Sequence, residues 1–294
     1  MKKLIEEFTF FLSKKQKASK NTLLSYSRDA ELFFAKLGIS SREDCFKVTR
    51  EQVQDYVIGL ERDGKANSTV LRSVSSIRKF YSFLMERGQV KENPAMVLEL
   101  PQPNHKTPVI LTPGEINRLM TQPKTGDLKG ARDKAMLELL YATGMKVSEL
   151  ITMELRDVDL NEGVVTCRSS EHYRVIPIGV AAEDAVRYYL ENVREVMVEN
   201  QKVKTLFVNC GGNPMTRQGF WKLIKGYIDS AGINKHVTPQ TLRHSFAVHL
   251  LQNGADAEAV SQMLGYNDTV STKIYSDMLK DRIKKVYNRS HPRA

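Results

Sequence analysis

The chain has 294 residues, of which 41% are hydrophobic and 27% charged, and this composition indicates a soluble globular protein long enough for two domains. No apolar run reaches the roughly 18 residues of a membrane span and the N-terminus lacks a signal-peptide core, so we expect a cytoplasmic protein without membrane contact. The net charge of +10 is shared, because residues 1–103 carry 18 basic and 13 acidic side chains and the remainder carries 26 and 21. Both halves are therefore basic, which favours a polyanionic partner over a merely basic surface.

The three cysteines, Cys45, Cys167 and Cys210, are an odd number with no CxxC spacing. This pattern disfavours a disulfide framework and a zinc site. We therefore expect buried, reduced thiols.

Helical periodicity runs through the first hundred residues. Ser19 precedes one amphipathic run, Thr49 and Gln52 have the form of a capping box before a second, and Asn67 opens a third. Apolar residues near the N-terminus form one face of a further helix. Together with the three runs, this helix predicts a four-helix domain over residues 1–100.

A series of prolines follows this domain, with Pro101, Pro103 and Pro108 close together. Proline opposes helix and favours an extended chain, so residues 101–109 are predicted to be a linker. A second domain is predicted over residues 110–294, and its first helix is marked by Thr at the N-cap, Pro at N1 and Glu at N3 in the segment 112–115.

The second domain is predicted to be mostly helical with one small sheet. Residues 163–168 and 173–178 are β-branched runs on either side of a polar turn, which predicts a hairpin, and residues 206–208 favour a further short strand. The chain is thus predicted to be mainly α with a small β-hairpin. Later helices are expected to begin near Thr216, Thr238, Asp256 and Asp268.

Two residues near the C-terminus offer a specific chemistry: Arg243 is a fixed cation and Tyr275 a phenol. Breaking and rejoining a DNA phosphodiester without a metal needs a guanidinium that holds the phosphate and a nucleophile that attacks phosphorus. Taken singly, each residue is more often a packing residue, since a tyrosine on an amphipathic helix usually packs and an arginine can pair with a buried carboxylate.

The sequence around this pair resembles the tyrosine recombinases of the phage integrase family, and the Xer subfamily in particular. Residues 241–265 match that pattern almost residue for residue through the Leu-Arg-His-Ser-Phe-Ala core. Residues 141–150 are similar to the family's first motif, residues 216–222 resemble its DNA-contacting helix, and residues 291–294 resemble its C-terminus. The resemblance covers essentially the whole chain and implies a two-domain architecture, a helical core-binding domain joined to a mixed catalytic domain.

The resemblance also implies a mechanism. Tyr275 would attack the scissile phosphate, displace a 5′-hydroxyl and leave a 3′-phosphotyrosyl link, while Arg243 would be the second of two arginines that stabilise the pentacoordinate phosphorus. Because the bond energy is kept in a covalent ester, no metal or other cofactor is needed. The implied partner is double-stranded DNA, with a homotetramer or heterotetramer assembled on two DNA sites, the latter with a second recombinase.

Several positions depart from the family's pattern. Lys146 occupies the place of the first arginine and keeps the charge but not the planar two-pronged geometry. Gln240 stands where the family has a histidine or sometimes a lysine, and its amide can donate a hydrogen bond but cannot take a proton from the phenol. Tyr266 replaces a histidine or tryptophan, and Ser169 replaces the hairpin lysine that acts as general acid. The neighbouring Arg168 is a poor proton donor, because the pKa of a guanidinium lies above ~12.

These departures predict weak catalysis. The loss of one oxyanion donor lowers a rate by about 10²–10³, and the loss of a general acid or base by about 10²–10⁴. Without a base beside it, a phenol with a pKa near ~10 stays protonated at neutral pH. The sequence therefore leaves two hypotheses: a weak or partner-dependent Xer-like recombinase, or an impaired paralogue that assembles on DNA without turnover. The sequence also leaves open two biological roles: the resolution of chromosome dimers, which serves chromosome partition, and the integration of mobile elements.

DNA binding requires less than catalysis, and a basic helix in each domain matches a DNA-contacting position of the family. Each of these charges alone could equally be a solvated side chain. The predicted DNA-binding residues are Asn21, Thr22, Arg72, Arg78 and Lys79 in the first domain, and Arg217, Gln218, Lys222 and Lys225 in the second.

Two histidines and the C-terminal tail complete the sequence predictions. His244 and His249 are five residues apart and so face different sides of a helix, which favours packing or phosphate contact over metal binding. Residues 277–287 carry an apolar stripe that in the family docks into a neighbouring protomer; packing onto its own domain is the alternative.

Overall fold

The computed structural model divides into two compact units, Met1–Lys106 and Thr107–Ala294. Part of the predicted linker, residues 103–106, lies outside the described residues, so the linker itself stays a prediction. The structure describes residues 1–16, 18–102, 107–168, 173–199, 202–266 and Tyr275.

Within the described residues, the first unit is built from five helices. The predicted start signals are present: Ser19 Oγ accepts a hydrogen bond from the Thr22 amide, and Thr49 and Gln52 form a reciprocal capping box. The prediction of four helices was wrong by one, because a five-residue helix that buries only Cys45 is too short to show periodicity. The helices are α1 (Lys2–Lys15), α2 (Lys20–Lys36), α3 (Arg42–Phe46), α4 (Arg50–Arg62) and α5 (Asn67–Glu86).

The core of this unit is aromatic, with Phe8 of α1 and Phe80 of α5 packed edge to face at 5.1 Å between ring centroids. One carboxylate is buried beside this core. Asp29 of α2 is 3% exposed and accepts hydrogen bonds of 2.8 Å from Arg72 and from Ser76, both on α5. These donors offset the cost of removing the charge from water and fasten α2 to α5.

The second unit is mainly helical around one small antiparallel sheet of strand order β1-β2-β3. The predicted hairpin is confirmed, with buried Val165 of β2 opposite buried Ile176 of β3. The elements are α6 (Pro113–Met120), α7 (Leu128–Thr143), α8 (Val147–Thr152), β1 (Val158–Asp159), β2 (Val164–Arg168), β3 (Tyr173–Pro177), α9 (Val180–Tyr189), α10 (Glu195–Met197), α11 (Arg217–Ser230), α12 (Pro239–Gln252) and α13 (Ala257–Leu264).

Two predictions for this unit were wrong. Residues 206–208 are buried but form no strand; the Leu206 amide instead donates to the Met153 carbonyl, and Val208 forms an isolated bridge with Pro214. Cys210 is exposed, whereas Cys45 and Cys167 are buried as predicted.

Three of the predicted helix starts carry the expected caps, at Thr216, Thr238 and Asp256. The start predicted at Asp268 and the tail 277–287 lie outside the described residues. Among the helices that are described, none combines the length and the apolar character required to cross a membrane.

Candidate active site

A cavity of about 390 Å³ opens beside the first turns of three helices of the second unit, α8, α11 and α12. Among the described residues, its wall contains the cations Lys146, Arg217 and Arg243 and no carboxylate. Amide groups at the start of a helix carry a partial positive charge, which adds to that of the cations. The cavity is therefore suited to an anion such as a phosphate. The other lining residues are Met145, Val147, Ser148, Trp221, Pro239 and Gln240.

Arg243 is fixed in the wall of this cavity. It is 1% exposed, and its guanidinium donates to the carbonyl oxygens of Gly144 at 2.7 Å and of Leu264 at 2.6 Å. These carbonyls end α7 and α13, where helix dipoles favour a cation. Two of its five N–H groups are thus used for positioning, and the rest of the fork can face a ligand.

Gly144 allows the close approach of α7 to α12 and α13. Its φ is +59°, and a β-carbon at this position would lie 2.3 Å from Cδ1 of Phe246 and 2.9 Å from Cδ2 of Leu264. No other residue fits there without displacing these side chains. The turn between α7 and α8 therefore needs glycine to bring its carbonyl to Arg243.

Tyr266 contacts both Arg243 and Tyr275. The Cζ atom of Arg243 is 5.0 Å from the Tyr266 ring centre, and the Tyr266 hydroxyl is 3.5 Å from that of Tyr275. The Tyr275 side chain is 1% exposed, and its hydroxyl lies 2.7 Å from Nδ1 of His244. Arg243 and Tyr275, which are 32 positions apart in the sequence, are thus brought together through Tyr266.

The electrostatics of this group keep the phenol neutral in the free protein. Burial raises the pKa of Tyr275, the neighbouring Tyr266 raises it further, and the charge of Arg243 only partly opposes them. Burial and Arg243 together lower the pKa of His244, so its imidazole is uncharged at neutral pH.

The prediction that no base lies beside the phenol was therefore wrong. His244 was assigned to packing or phosphate contact, but its ring contacts the Tyr275 hydroxyl. His249, on the same helix, makes the corresponding contact of 2.7 Å with the hydroxyl of Tyr141. The available signal was the position of His244 directly after Arg243 on α12.

An ion pair positions the turn that carries Lys146. Glu149 Oε2 accepts a 2.7 Å hydrogen bond from the Lys146 amide, and both carboxylate oxygens of Glu149 accept from Arg174 of β3 at 2.9 and 2.8 Å. Arg174 also donates to the Met263 carbonyl at 2.7 Å. The hairpin, α8 and α13 are thereby joined at the turn that carries Lys146.

Comparison with known proteins agrees with this geometry. Residues 110–282 match the Phage integrase family, and residues 5–88 match the phage integrase N-terminal SAM-like domain. The chain belongs to the phage integrase family. It is also 40% identical over 292 residues to the tyrosine recombinase XerD of Halalkalibacterium halodurans, which covers 99% of this chain and 98% of the relative. It is therefore a tyrosine recombinase of the Xer type.

Solved structures of tyrosine recombinases share the fold. The Tn1549 transposon integrase in complex with circular intermediate DNA has a TM-score of 0.75 at 17% identity, covering 92% of this chain and 94% of that one. XerH bound to a palindromic difH substrate has a TM-score of 0.71 at 18% identity, covering 96% and 83%.

The other residues predicted for catalysis do not all lie at the cavity. Lys146 and Gln240 are exposed and line the cavity with Arg243, while Tyr266 is half-buried beside it. Arg168 does not line this cavity, since its Nε donates to Asp157 at 2.5 Å. Ser169 lies outside the described residues.

Two arginines predicted to contact DNA already have partners in the first unit. Arg72 pairs with Asp29 at 2.8 Å, although its side chain stays 43% exposed. Arg78 donates to the carbonyls of Ala95 at 2.6 Å and Met96 at 3.3 Å. Arg78 therefore holds the segment that follows α5.

The other predicted DNA contacts are accessible. Thr22 is half-buried in the first turn of α2, and Arg217 lines the cavity. The exposed residues are Asn21 and Lys79 in the first unit and Gln218, Lys222 and Lys225 on α11.

Proposed function

We propose that this protein is a site-specific recombinase that cuts and rejoins double-stranded DNA through a 3′-phosphotyrosyl intermediate at Tyr275. The observation that carries the proposal is the convergence of Arg243 and Tyr275 through Tyr266, beside a cavity lined by cations. In this reaction the phosphate binds Arg243, and the Tyr275 oxygen displaces the 5′ oxygen from phosphorus. The ester formed keeps the bond energy, so neither a nucleotide nor a metal is required.

Duplex DNA is the proposed substrate. The net charge of +10 and the exposed lysines of α5 and α11 support it, as do the complexes with DNA of two proteins that share this fold, the Tn1549 integrase and XerH. We assign DNA-core binding to residues 1–100 and catalysis to residues 110–294. Assembly as a tetramer on two DNA sites, alone or with a second recombinase, is part of the same proposal, as are a cytoplasmic location and a role in chromosome partition.

The competing proposal is a protein that assembles on DNA without turnover. Two observations favour it: the Tyr275 side chain is 1% exposed, and its pKa is raised by burial. In addition, Lys146 and Gln240 line the cavity where the family has an arginine and a histidine. A recombinase must therefore bring the buried Tyr275 oxygen to the phosphate and remove its proton when DNA is bound, whereas a binding protein need not.

A covalent-trapping experiment separates the two proposals. The protein first selects its site from a random-sequence duplex pool, and the selected duplex is then nicked near the cleavage position so that the released strand diffuses away. We expect a protein–DNA adduct with the wild type and none with Tyr275→Phe. Equal DNA binding by both proteins without any adduct would leave only the binding proposal.

Restoring the family residues tests whether the departures limit the rate. In the variant Lys146→Arg, Gln240→His and Tyr266→His, combined with Ser169→Lys, adduct formation should rise by about 10² or more, because a forked cation and general acid–base groups return. Lys124→Arg is the matched control, since it changes an exposed lysine outside both the cavity and the predicted DNA contacts and should leave the rate unchanged. No gain in the combined variant would contradict the assignment of these four positions.

A further inference from the structure

We propose that His244 is a catalytic residue that accepts the proton of the Tyr275 hydroxyl when that oxygen attacks phosphorus. This inference rests on the proposed function, since it supplies the base that the recombination reaction needs. Gln240, which stands where the family has a histidine, cannot accept this proton, and we assign that role to His244 instead.

The geometry supplies the first argument. His244 Nδ1 lies 2.7 Å from the Tyr275 oxygen, the distance of a strong hydrogen bond, and the two ring centroids are 5.6 Å apart. Gln240 is exposed at the cavity, one helical turn earlier on α12. His244 is thus the imidazole that contacts the phenol among the described residues.

The charges around the pair supply the second argument. The described groups facing the phenol oxygen are His244, Tyr266 and, through Tyr266, Arg243. Burial and the positive charge of Arg243 lower the pKa of His244, so its neutral form prevails near pH 7 and can accept a proton. A protonated imidazole could only donate to the phenol.

The proton transfer is balanced within the reaction. One proton moves from the Tyr275 oxygen to His244 Nδ1 as the O–P bond forms; the P–O5′ bond breaks, and the 5′ oxygen takes one proton from solvent. In the reverse step a 5′-hydroxyl gives its proton to solvent as its oxygen bonds to phosphorus, and the bond between phosphorus and the Tyr275 oxygen breaks. The leaving Tyr275 oxygen takes the proton back from His244, which makes the imidazole neutral again. For this transfer His244 carries its resting proton on Nε2.

The kinetic experiment uses the full-length protein, the self-selected nicked duplex, and a copy with sulfur in place of the bridging 5′ oxygen. His244→Asn keeps an acceptor near the position of Nδ1 but takes up no proton. We expect adduct formation to fall by about 10²–10⁴ at pH 7 on both duplexes, since the sulfur leaving group needs no acid and isolates the nucleophile's proton. The matched control is His249→Asn. His249 also lies on α12 and makes the equivalent contact with the hydroxyl of Tyr141, so this variant should keep the wild-type rate.

The pH profile distinguishes proton transfer from positioning. The wild-type rate should level off above the pKa of His244, whereas the rate of His244→Asn should climb about tenfold per pH unit, because only ionised phenol reacts. A variant that loses the same factor at every pH, or none, overturns the proposal even though the wild type forms the adduct.

A measurement that does not depend on activity keeps the inference separable from the proposed function. In ¹⁵N NMR spectra of protein labelled with ¹⁵N-histidine, the signals of His244 are identified by their absence from the His244→Asn spectrum. We expect the Nδ1 chemical shift of an unprotonated nitrogen, and we expect this shift to change in Tyr275→Phe. An Nδ1 that carries the proton would refute the inference with or without DNA cleavage. Absence of an adduct from the wild type would instead defeat the recombinase proposal.

Discussion

Arg174 and Glu149 meet through two parallel hydrogen bonds of 2.9 and 2.8 Å, and the pair is shielded, with 17% and 10% of the side chains exposed. This pair connects the β-hairpin to the turn that carries Lys146. Neither residue lines the cavity, so the pair supports the site rather than binding a ligand.

Removing the cation of this pair should destabilise the protein. Arg174→Ala leaves the Glu149 carboxylate buried without its partner, which costs about 3 kcal/mol of unfolding free energy. Urea denaturation measures the change. Arg156→Ala, which breaks a pair with Glu154 whose arginine side chain is 71% exposed, is the control and should shift the midpoint far less. Equal losses in both variants would contradict a supporting role for Arg174.

The Glu149 carboxylate should make the free energy of unfolding depend on pH in the acidic range. Burial would raise the pKa of Glu149, but the hydrogen bonds from Arg174 and the Lys146 amide lower it below the ordinary value of 4.5. The unfolded state therefore binds the proton first, so this stabilisation is complete above 4.5 and is lost as the pH falls through the lowered folded pKa. Glu149→Gln should show a weaker fall in urea midpoint between about pH 5 and about pH 3 than the wild type. An unchanged pH slope would show that other carboxylates dominate.

Gly144→Ala should weaken both the fold and the site. The left-handed backbone costs about 1–2 kcal/mol, and the β-carbon would overlap Phe246, which adds about 1–3 kcal/mol. Gly232 also has a positive φ, of +63°, but nothing lies within 4 Å of its added carbon, so Gly232→Ala isolates the backbone part. Thermal unfolding of both variants gives the comparison. A loss no larger at Gly144 would mean that Phe246 moves aside freely.

Arg78 and Lys79 should respond differently to alanine although they are neighbours on α5. Arg78→Ala leaves the buried Ala95 carbonyl without its donor, which costs about 1–3 kcal/mol of stability. Lys79→Ala should leave stability unchanged and lower the slope of log affinity against log salt by about one, if Lys79 contacts a phosphate. Unfolding curves and DNA titrations at several salt concentrations measure the two effects. A salt slope that stays the same would remove Lys79 from the DNA surface.

Much of the secondary structure could be predicted because its signals are local. The capping box of Thr49 and Gln52 and that of Thr112 and Glu115 each depend on four consecutive residues. The segment 206–208 failed because its apolar character reports burial, whereas a strand also needs a neighbour that no local pattern supplies. Its backbone pairs with an irregular segment instead.

The candidate site was harder to predict than the fold. Arg243 and Tyr275 were singled out by the family resemblance, but the contact of His244 with Tyr275 joins residues 31 positions apart. Helical spacing predicted that His244 and His249 face different sides of the helix, but it could not predict which residue packs against His244. Charge patterns likewise cannot distinguish a solvated arginine from Arg78, because the carbonyls it binds carry no side-chain signature.

The anchoring of Arg243 by two carbonyl oxygens has a consequence for how a ligand would arrive. A side chain held this way cannot reach outward to search for its anion, so the anion has to be delivered to it in one orientation. Little rotamer freedom is then lost on binding, and any phosphate that docks off-axis finds no movable charge to accommodate it. Selectivity for a correctly oriented phosphate would thus depend on the rigidity of Arg243 rather than on the strength of its attraction to the anion.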